Sequence, residues 1–134
     1  MRTVIKLFLA SAALTFCIAV HAAGDGYDVF VPISKYLAKG DSESLSAWFA
    51  DNLEITVMST TTDSSKSQAK QILKSFFDTH TPRSFEINHS ASGSNSKYAL
   101  GYLNAGGELF EVTIFVSKCK DSYKIQQLKI DRIR

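Results

Sequence analysis

A set of aromatic and amide side chains forms the part of this sequence best suited to bind a ligand. Six of them are candidates for the lining of a pocket: Trp48, Phe77, His89, Tyr98, Tyr102 and Gln126. Aromatic rings would give an apolar wall, while a phenol, an imidazole or an amide could orient a ligand through hydrogen bonds. The alternative is that the aromatic residues simply pack the core of the domain, as buried aromatic side chains usually do.

No motif in the sequence points to a cofactor or a metal. There is no P-loop, no dinucleotide-binding glycine motif, no nucleophile elbow and no zincin helix. His80 and His89 are separated by a stretch without a carboxylate pattern, which is a weak signal for a metal site. We therefore expect neither a cofactor nor a metal.

The first 22 residues are predicted to be a signal peptide. Arg2 and Lys6 precede an apolar run over 7–20, and Val20 and Ala22 place small or compact side chains at the −3 and −1 positions of a signal-peptidase site. A membrane span needs about 20 apolar residues, so this run is short for one, and an uncleaved anchor is the alternative. We expect cleavage near Ala22, export to the periplasm or the medium, and no stable membrane insertion afterwards.

Cleavage would leave one domain over residues 23–134 and would change its charge. The whole chain has 15 basic and 13 acidic residues, and the loss of Arg2 and Lys6 brings the net charge close to zero. No overall basic surface for nucleic acid or an anionic membrane is then expected. Cys119 would be the only cysteine left, so packing and not an internal disulfide must stabilise the domain.

Helical periodicity is concentrated in the first half of the mature sequence. The pattern predicts a helix over 28–39 with Asp28 as its N-cap, a short helix over 41–50, a strand over 53–58 and a polar loop over 59–65. The next helix has the clearest apolar stripe, which includes Phe76 and Phe77. It begins at a capping box formed by Ser65 and Gln68, and Pro82 lies just after its end.

The second half of the sequence alternates apolar and polar residues with the period of strands. The pattern predicts strands over 85–89, 98–102, 108–118 and 123–133. In the last of these the apolar positions change face between Ile125 and Leu128, which indicates a β-bulge or a strand buried on both faces. Helices followed by antiparallel strands are typical of an α+β domain whose sheet curls around the helices.

Six stretches carry a resemblance to known proteins: DVFVPISKY (28–36), LSAWFADNL (45–53), QAKQILKSFF (68–77), TPRSF (81–85), LNAGGE (103–108) and YKIQQL (123–128). In these stretches the chain resembles a family of exported bacterial proteins of unknown function, mostly from Bacteroidetes. The order of elements resembles the nuclear-transport-factor-two-like fold, also described as cystatin-like. The resemblance implies a cone of three N-terminal helices packed on a curved, mainly antiparallel sheet, with a cavity between them. It implies no activity.

Enzymes with this cone-shaped fold, such as those of the ketosteroid isomerase and dehydratase type, place a tyrosine with an aspartate or histidine at the pocket floor. The counterparts here would be Asp51 or His89 as a general base, with Tyr98 or Tyr102 stabilising an enolate. No spacing ties these residues together, so we expect a domain without catalysis that binds a small molecule or an envelope component in the cone. The alternatives are an isomerase or dehydratase, and a module that forms homodimers or binds a protein through the open sheet face.

Overall fold

Three helices and six strands make up the computed structural model, which describes residues 28–133. The helices are α1 (Phe30–Lys39), α2 (Ser42–Ser46) and α3 (Lys66–Thr79). The strands are β1 (Phe49–Val57), β2 (Thr60–Ser65), β3 (Pro82–Ser92), β4 (Ser96–Ala105), β5 (Glu108–Cys119) and β6 (Ser122–Arg132). The predicted signal peptide lies outside the described residues. Among residues 28–133, none of the helices has the length and hydropathy of a membrane span.

All six strands belong to one sheet, in the order β2-β1-β6-β5-β4-β3. Neighbouring strands are antiparallel except for β1 and β6, which run parallel. The first strand of the domain therefore lies beside the last one, and the sheet remains mainly antiparallel. The α+β class predicted from the sequence is confirmed.

The core lies between the helices and one face of the sheet. The alternating residues Phe110, Val112, Ile114 and Val116 of β5 are all 0% exposed, as the strand pattern predicts. The apolar stripe of α3 covers them, and its Phe76 is 3% exposed. The ring of Phe76 meets that of Phe110 edge-on at 5.1 Å, a favoured geometry for aromatic pairs.

The helix termini follow the predicted chemistry with one correction. Ser65 caps α3 by accepting a hydrogen bond from the backbone N–H of Gln68 at 3.2 Å, which confirms the predicted start. The N-cap of α1, however, is Val29 and not Asp28. The Asp28 carboxylate still accepts a hydrogen bond from the backbone N–H of Phe30 at 2.9 Å, so it satisfies a free donor of the first turn from one position further out.

The second helix is shorter in the structure than the sequence predicts. It ends at Ser46, and Phe49 already belongs to β1. The backbone N–H of Ile125 donates to the carbonyl of Trp48 at 2.7 Å, and Phe49 pairs with Ile125 in the parallel ladder. Hydrogen bonding to β6 thus overrides a local pattern that fits a helix equally well.

The prediction of a polar loop over 59–65 is wrong, because this segment forms the edge strand β2. It pairs with β1 through a turn whose central residues are Met58 and Ser59, with φ of 48° and 73°. Such a turn normally contains glycine or asparagine, so its sequence gives no hairpin signal. The backbone N–H of Ser59 donates to Asp131 Oδ1 at 2.8 Å, which holds the turn against β6.

The four strands after α3 lie where the alternation predicts them, and their bounds agree with the prediction to within three residues. The change of face in the last strand is a β-bulge. Phe115 pairs with Gln127 and Val116 pairs with Ile125, so Gln126 is left without a partner in the ladder. This extra residue is what lets Ile125 and Leu128 both face the core.

Phe76→Ala should lower the free energy of unfolding by about 3–5 kcal/mol, because it removes a buried ring that the surrounding core cannot replace. Urea denaturation would measure the change. Ser75→Ala, at an exposed position on the same helix, should be nearly neutral. A loss below about 1 kcal/mol for Phe76→Ala would contradict the placement of this ring in the core.

Ser59→Gly should raise the free energy of unfolding by about 1 kcal/mol, because glycine adopts a positive φ without the steric cost of a Cβ atom. Thermal denaturation would detect this gain. The adjacent Thr60→Gly is the control, and it should destabilise the domain since a glycine weakens a strand. If Ser59→Gly also lowers the free energy of unfolding, the positive φ of Ser59 does not destabilise the fold.

Candidate functional site

The space between the helices and the sheet is packed with side chains over the described residues. Phe49 and Phe110 are the largest of them, and both are 0% exposed. Aliphatic neighbours fill the rest: Ile33, Leu37, Leu45, Leu73, Leu103 and Leu128. On β4 the absence of a side chain at Gly101 lets the Phe85 ring approach closely, since a Cβ there would lie 2.7 Å from Phe85 Cζ. The interior of the cone therefore serves packing.

Two of the predicted pocket residues lie on the helix side of the molecule. Phe77 is 6% exposed and belongs to the core, with its ring 5.8 Å from that of Phe76. Trp48 is half-buried and packs against the edge of the same core. These two therefore contribute to packing of the domain.

Three others lie on the opposite face of the sheet. Tyr98 and Tyr102 are half-buried and alternate along β4 with the buried Ala99 and Leu103, so they face away from the helices. His89 is exposed on β3, and its ring lies 6.4 Å from the ring of Tyr98. The structure thus brings His89 and Tyr98 together, but outside the cone.

The remaining candidates are separate from this group. Gln126 is the bulge residue of β6, and its Nε2 lies 3.6 Å from the exposed Cys119 thiol. Asp51 is exposed on β1, which β6 and β5 separate from β4. At a strand spacing of about 4.8 Å, roughly 14 Å separates those strands, so Asp51 does not meet Tyr98 or Tyr102.

The sheet face opposite the helices, which we call the open sheet face, carries a group of large side chains: Tyr98, Leu100, Tyr102, Leu109 and Phe115. Tyr98 lies directly opposite Phe115 in the β4–β5 ladder, an arrangement that stabilises a sheet through aromatic contact. Leu109 is 51% exposed. No helix of the described chain covers this face, because all three pack on the other side.

Charges of both signs surround the apolar group. Glu111 lies directly opposite Asp131 in the β5–β6 ladder, which places two carboxylates side by side. Lys129 Nζ is 3.8 Å from Asp131 Oδ2, so this lysine neutralises one of them. Glu111 has no ion pair among residues 28–133. The open sheet face therefore has an apolar part and an incompletely neutralised acidic part.

One cluster of polar residues has no signal in the sequence. Arg132 Nε donates to Glu108 Oε2 at 2.7 Å, and the Arg132 Nη2 group lies 3.4 Å from the other oxygen. The imidazole of His80 stacks on Phe76 at 4.8 Å and places its Nε2 4.0 Å from Glu108. These residues come from the end of α3, the start of β5 and the end of β6. Only the tertiary fold brings them together, and their contacts link the end of α3 to the sheet.

Solved structures place this domain in a fold class. A domain of unknown function with a cystatin-like fold from Nostoc punctiforme matches with a TM-score of 0.63 at 14% identity, covering 77% of this chain and 72% of that one. A putative dehydratase from the NTF2-like family from Streptomyces avermitilis matches with a TM-score of 0.58 at 10% identity, covering 77% and 90%. At these identities the likeness shows the fold alone, which is NTF2-like and cystatin-like.

A stronger similarity identifies the family. A DUF4783 family protein from Bacteroides uniformis is 25% identical, with a TM-score of 0.77 over 80% of this chain and 99% of that one. Residues 30–131 match the family described as Domain of unknown function (DUF4783), and the chain belongs to it. Both resemblances predicted from the sequence are thereby confirmed. No curated protein matches the chain.

The Glu108–Arg132 pair predicts a pH dependence of stability. Hydrogen bonds from Arg132 hold the pKa of Glu108 below its usual value of 4.5. A carboxyl group whose pKa is lower in the folded state stabilises the fold above its unfolded pKa, and this contribution disappears as the pH falls through the folded value.

Glu108→Gln should therefore be slightly less stable than the wild type at neutral pH and equally stable in acid well below that pKa. The effect is small because the pair is half-exposed. Urea denaturation at both pH values would measure it. Glu86→Gln, at an exposed position without an ion pair among the described residues, should show no such change. A constant difference between Glu108→Gln and wild type at all pH values would exclude ionic stabilisation by this pair.

Proposed function

We propose that this domain is a non-catalytic interaction module that pairs with a second copy of itself through the open sheet face. The observation that supports this function is the uncovered group of aromatic and aliphatic side chains on β4 and β5, with Leu109 51% exposed. Contiguous apolar groups on a soluble surface are typical of interaction sites.

The charges around this group favour a second copy as the partner. Homodimers usually have two-fold symmetry, so any residue of the face can meet any complementary residue of the same face on the other copy. Lys129 pairs with Thr113 across the β5–β6 ladder, two residues from Glu111. A two-fold axis close to Thr113 would bring Lys129 of one copy towards Glu111 of the other and neutralise the unpaired carboxylate.

The size of the face is adequate for such an interface. Four strands at about 4.8 Å spacing, each of roughly ten residues at about 3.3 Å, give a surface of about 20 by 33 Å. Its projected area of roughly 650 Å² approaches the ~800 Å² that each partner contributes to a standard interface.

Small-molecule binding in the cone remains a prediction, and it has less support. The packed side chains between helices and sheet, such as Phe49 and Phe110, occupy the volume that a ligand would need. For the enzyme alternative, His89 and Tyr98 are neighbours, but they lie on an exposed part of the sheet where water has access to both. Neither alternative has an observation comparable to the uncovered apolar face.

Phe115→Glu should convert the protein from a dimer to a monomer, because it places a carboxylate at the centre of the proposed interface. Light scattering after size exclusion, from micromolar to near-millimolar concentration, would measure the mass, and circular dichroism would verify the fold. Gln71→Glu adds the same carboxylate on the exposed side of α3 and should leave the dimer intact. A wild-type monomer throughout, or a dimer that survives Phe115→Glu, would contradict the proposal.

A further inference from the structure

A recess on the surface lies at the end of the sheet, where the β5–β6 turn approaches the start of β1 and the first residue of α3. Its volume is about 440 Å³, which is in the usual range for small-ligand sites. Three lysines from these parts of the chain line it, namely Lys66, Lys120 and Lys124. We call it the basic recess. The predicted mature domain has almost no net charge, so this collection of lysines is a local feature.

The basic recess lies beside a stretch of β1 that is not paired with its neighbours. The β1–β6 ladder has no pair between Phe49 and Glu54, and the β1–β2 ladder begins at Asn52. Ala50 and Asp51 therefore have a partner in neither ladder, and both line the recess. The interruption of the ladder thus coincides with the recess.

The charged groups of the basic recess are not neutralised as pairs. Besides the three lysines, the lining contains two carboxylates, Asp51 and Asp121. None of these five side chains forms an ion pair among residues 28–133. The lining therefore has one more positive than negative charge, and its lysines are available to an anion. This balance favours a ligand with a single negative charge.

The structure constrains two of the lysines. Lys124 Nζ donates a hydrogen bond to the backbone carbonyl of Ala47 at 3.1 Å, and an ammonium group retains two further donors. Lys120 is a central residue of the two-residue turn between Cys119 and Ser122, with φ of 57°. Glycine is usual at such a position, so a lysine there costs conformational energy. A cation that is already positioned loses less freedom when it binds a ligand.

The base of the basic recess is apolar. Phe49 is 0% exposed and Ala50 is 8% exposed, and they are the buried members of the lining. The methylene groups of the lysines add apolar surface around them, since long charged side chains commonly cover apolar neighbours with their stems. An apolar base with a few polar groups at its edge is the usual character of a small-ligand site.

We propose that the basic recess binds a small monocarboxylate with an apolar chain. The lysine ammonium groups hold the carboxylate through charge-assisted hydrogen bonds, and the chain lies against Ala50 and the lysine stems. A phosphate dianion fits less well, because its second negative charge exceeds the single excess positive charge of the lining. A neutral ligand leaves the lysines without a counter-charge. The proposal does not depend on pairing through the open sheet face.

Titration of the ¹⁵N-labelled protein with sodium hexanoate at constant ionic strength tests this site. We expect a dissociation constant of about 1 mM, which is an ordinary efficiency for a ligand of this size. In ¹H–¹⁵N NMR spectra the largest shifts should occur at the backbone amides of residues 49–51 and 119–124. Acetate lacks the chain and hexanol lacks the charge, so each should bind at least about fivefold more weakly. Inorganic phosphate should also bind more weakly than hexanoate.

Lys66→Gln and Lys124→Gln should each weaken hexanoate binding about fivefold, because each removes one positive charge and keeps a polar side chain. Neither variant should change the affinity for hexanol, which has no charge. Lys74→Gln makes the same change at an exposed position of α3 outside the lining, and it should bind hexanoate as the wild type does. Circular dichroism would verify the fold of the three variants.

Three outcomes would overturn the site. They are the absence of a saturable response to hexanoate, an equal affinity of the wild type and both recess variants, and shifts confined to residues outside the lining. Hexanol binding as tightly as hexanoate would overturn the assigned role of the lysines. Phosphate binding as tightly as hexanoate, or more tightly, would overturn the assignment of a monocarboxylate. Because each lysine variant tests the charge independently, failure of one to fold does not prevent the test.

Discussion

The parallel pairing of β1 with β6 is the contact on which the rest of the domain depends. It is anchored at both ends, by the hydrogen bond from Ile125 to Trp48 at 2.7 Å and by that from Met58 to Ile130 at 2.8 Å. After β1 is paired with β6, the chain turns back at Met58 and Ser59 and forms the edge strand β2. Helix α3 then crosses the face of the sheet. Among the described residues, the β1–β6 pairing is the one strand pairing that joins the β1–β2 hairpin to the four antiparallel strands.

The pairing also divides the sheet into two faces with different roles. One face is covered by the helices and is filled by interlocking aromatic and aliphatic side chains, of which Phe110 is the centre. Dense packing of this kind stabilises a small domain without a disulfide, but it leaves little volume for a ligand. None of the elements described over residues 28–133 covers the other face, so its polar and apolar side chains are accessible to another molecule. Function is therefore more readily placed on the surface of this domain than in its interior.

Irregular backbone gives the surface its remaining features. The β-bulge at Gln126 turns Ile125 and Leu128 to the same face, and β1 is out of register with β6 over residues 50–53, next to a recess whose lining includes Glu54 and Asp63. In a regular ladder these strands would pair without interruption along their length. Bulges commonly lie close to functional sites, because they redirect side chains that the sheet would otherwise fix.

The sequence alone predicts the fold class, the three helices, the four strands after α3 and the buried stripe around Phe76. These features rest on local periodicity and on caps such as Ser65, which the neighbouring residues specify. It also carried the family resemblance. Edge strand β2 was not predictable, because its hydroxyl-rich residues lack an apolar alternation and its turn lacks glycine.

The six candidate residues are aromatic or amide in chemical type, whereas their positions depend on contacts that form only in the folded domain. Alternation shows that Tyr98 and Tyr102 share a face, but the helices, packed by contacts distant in sequence, decide which face is covered. The opposition of Glu54 to Asp63 and the contact of Arg132 with Glu108 likewise arise from strand register. Register depends on the whole sheet, and for that reason a local pattern cannot specify it.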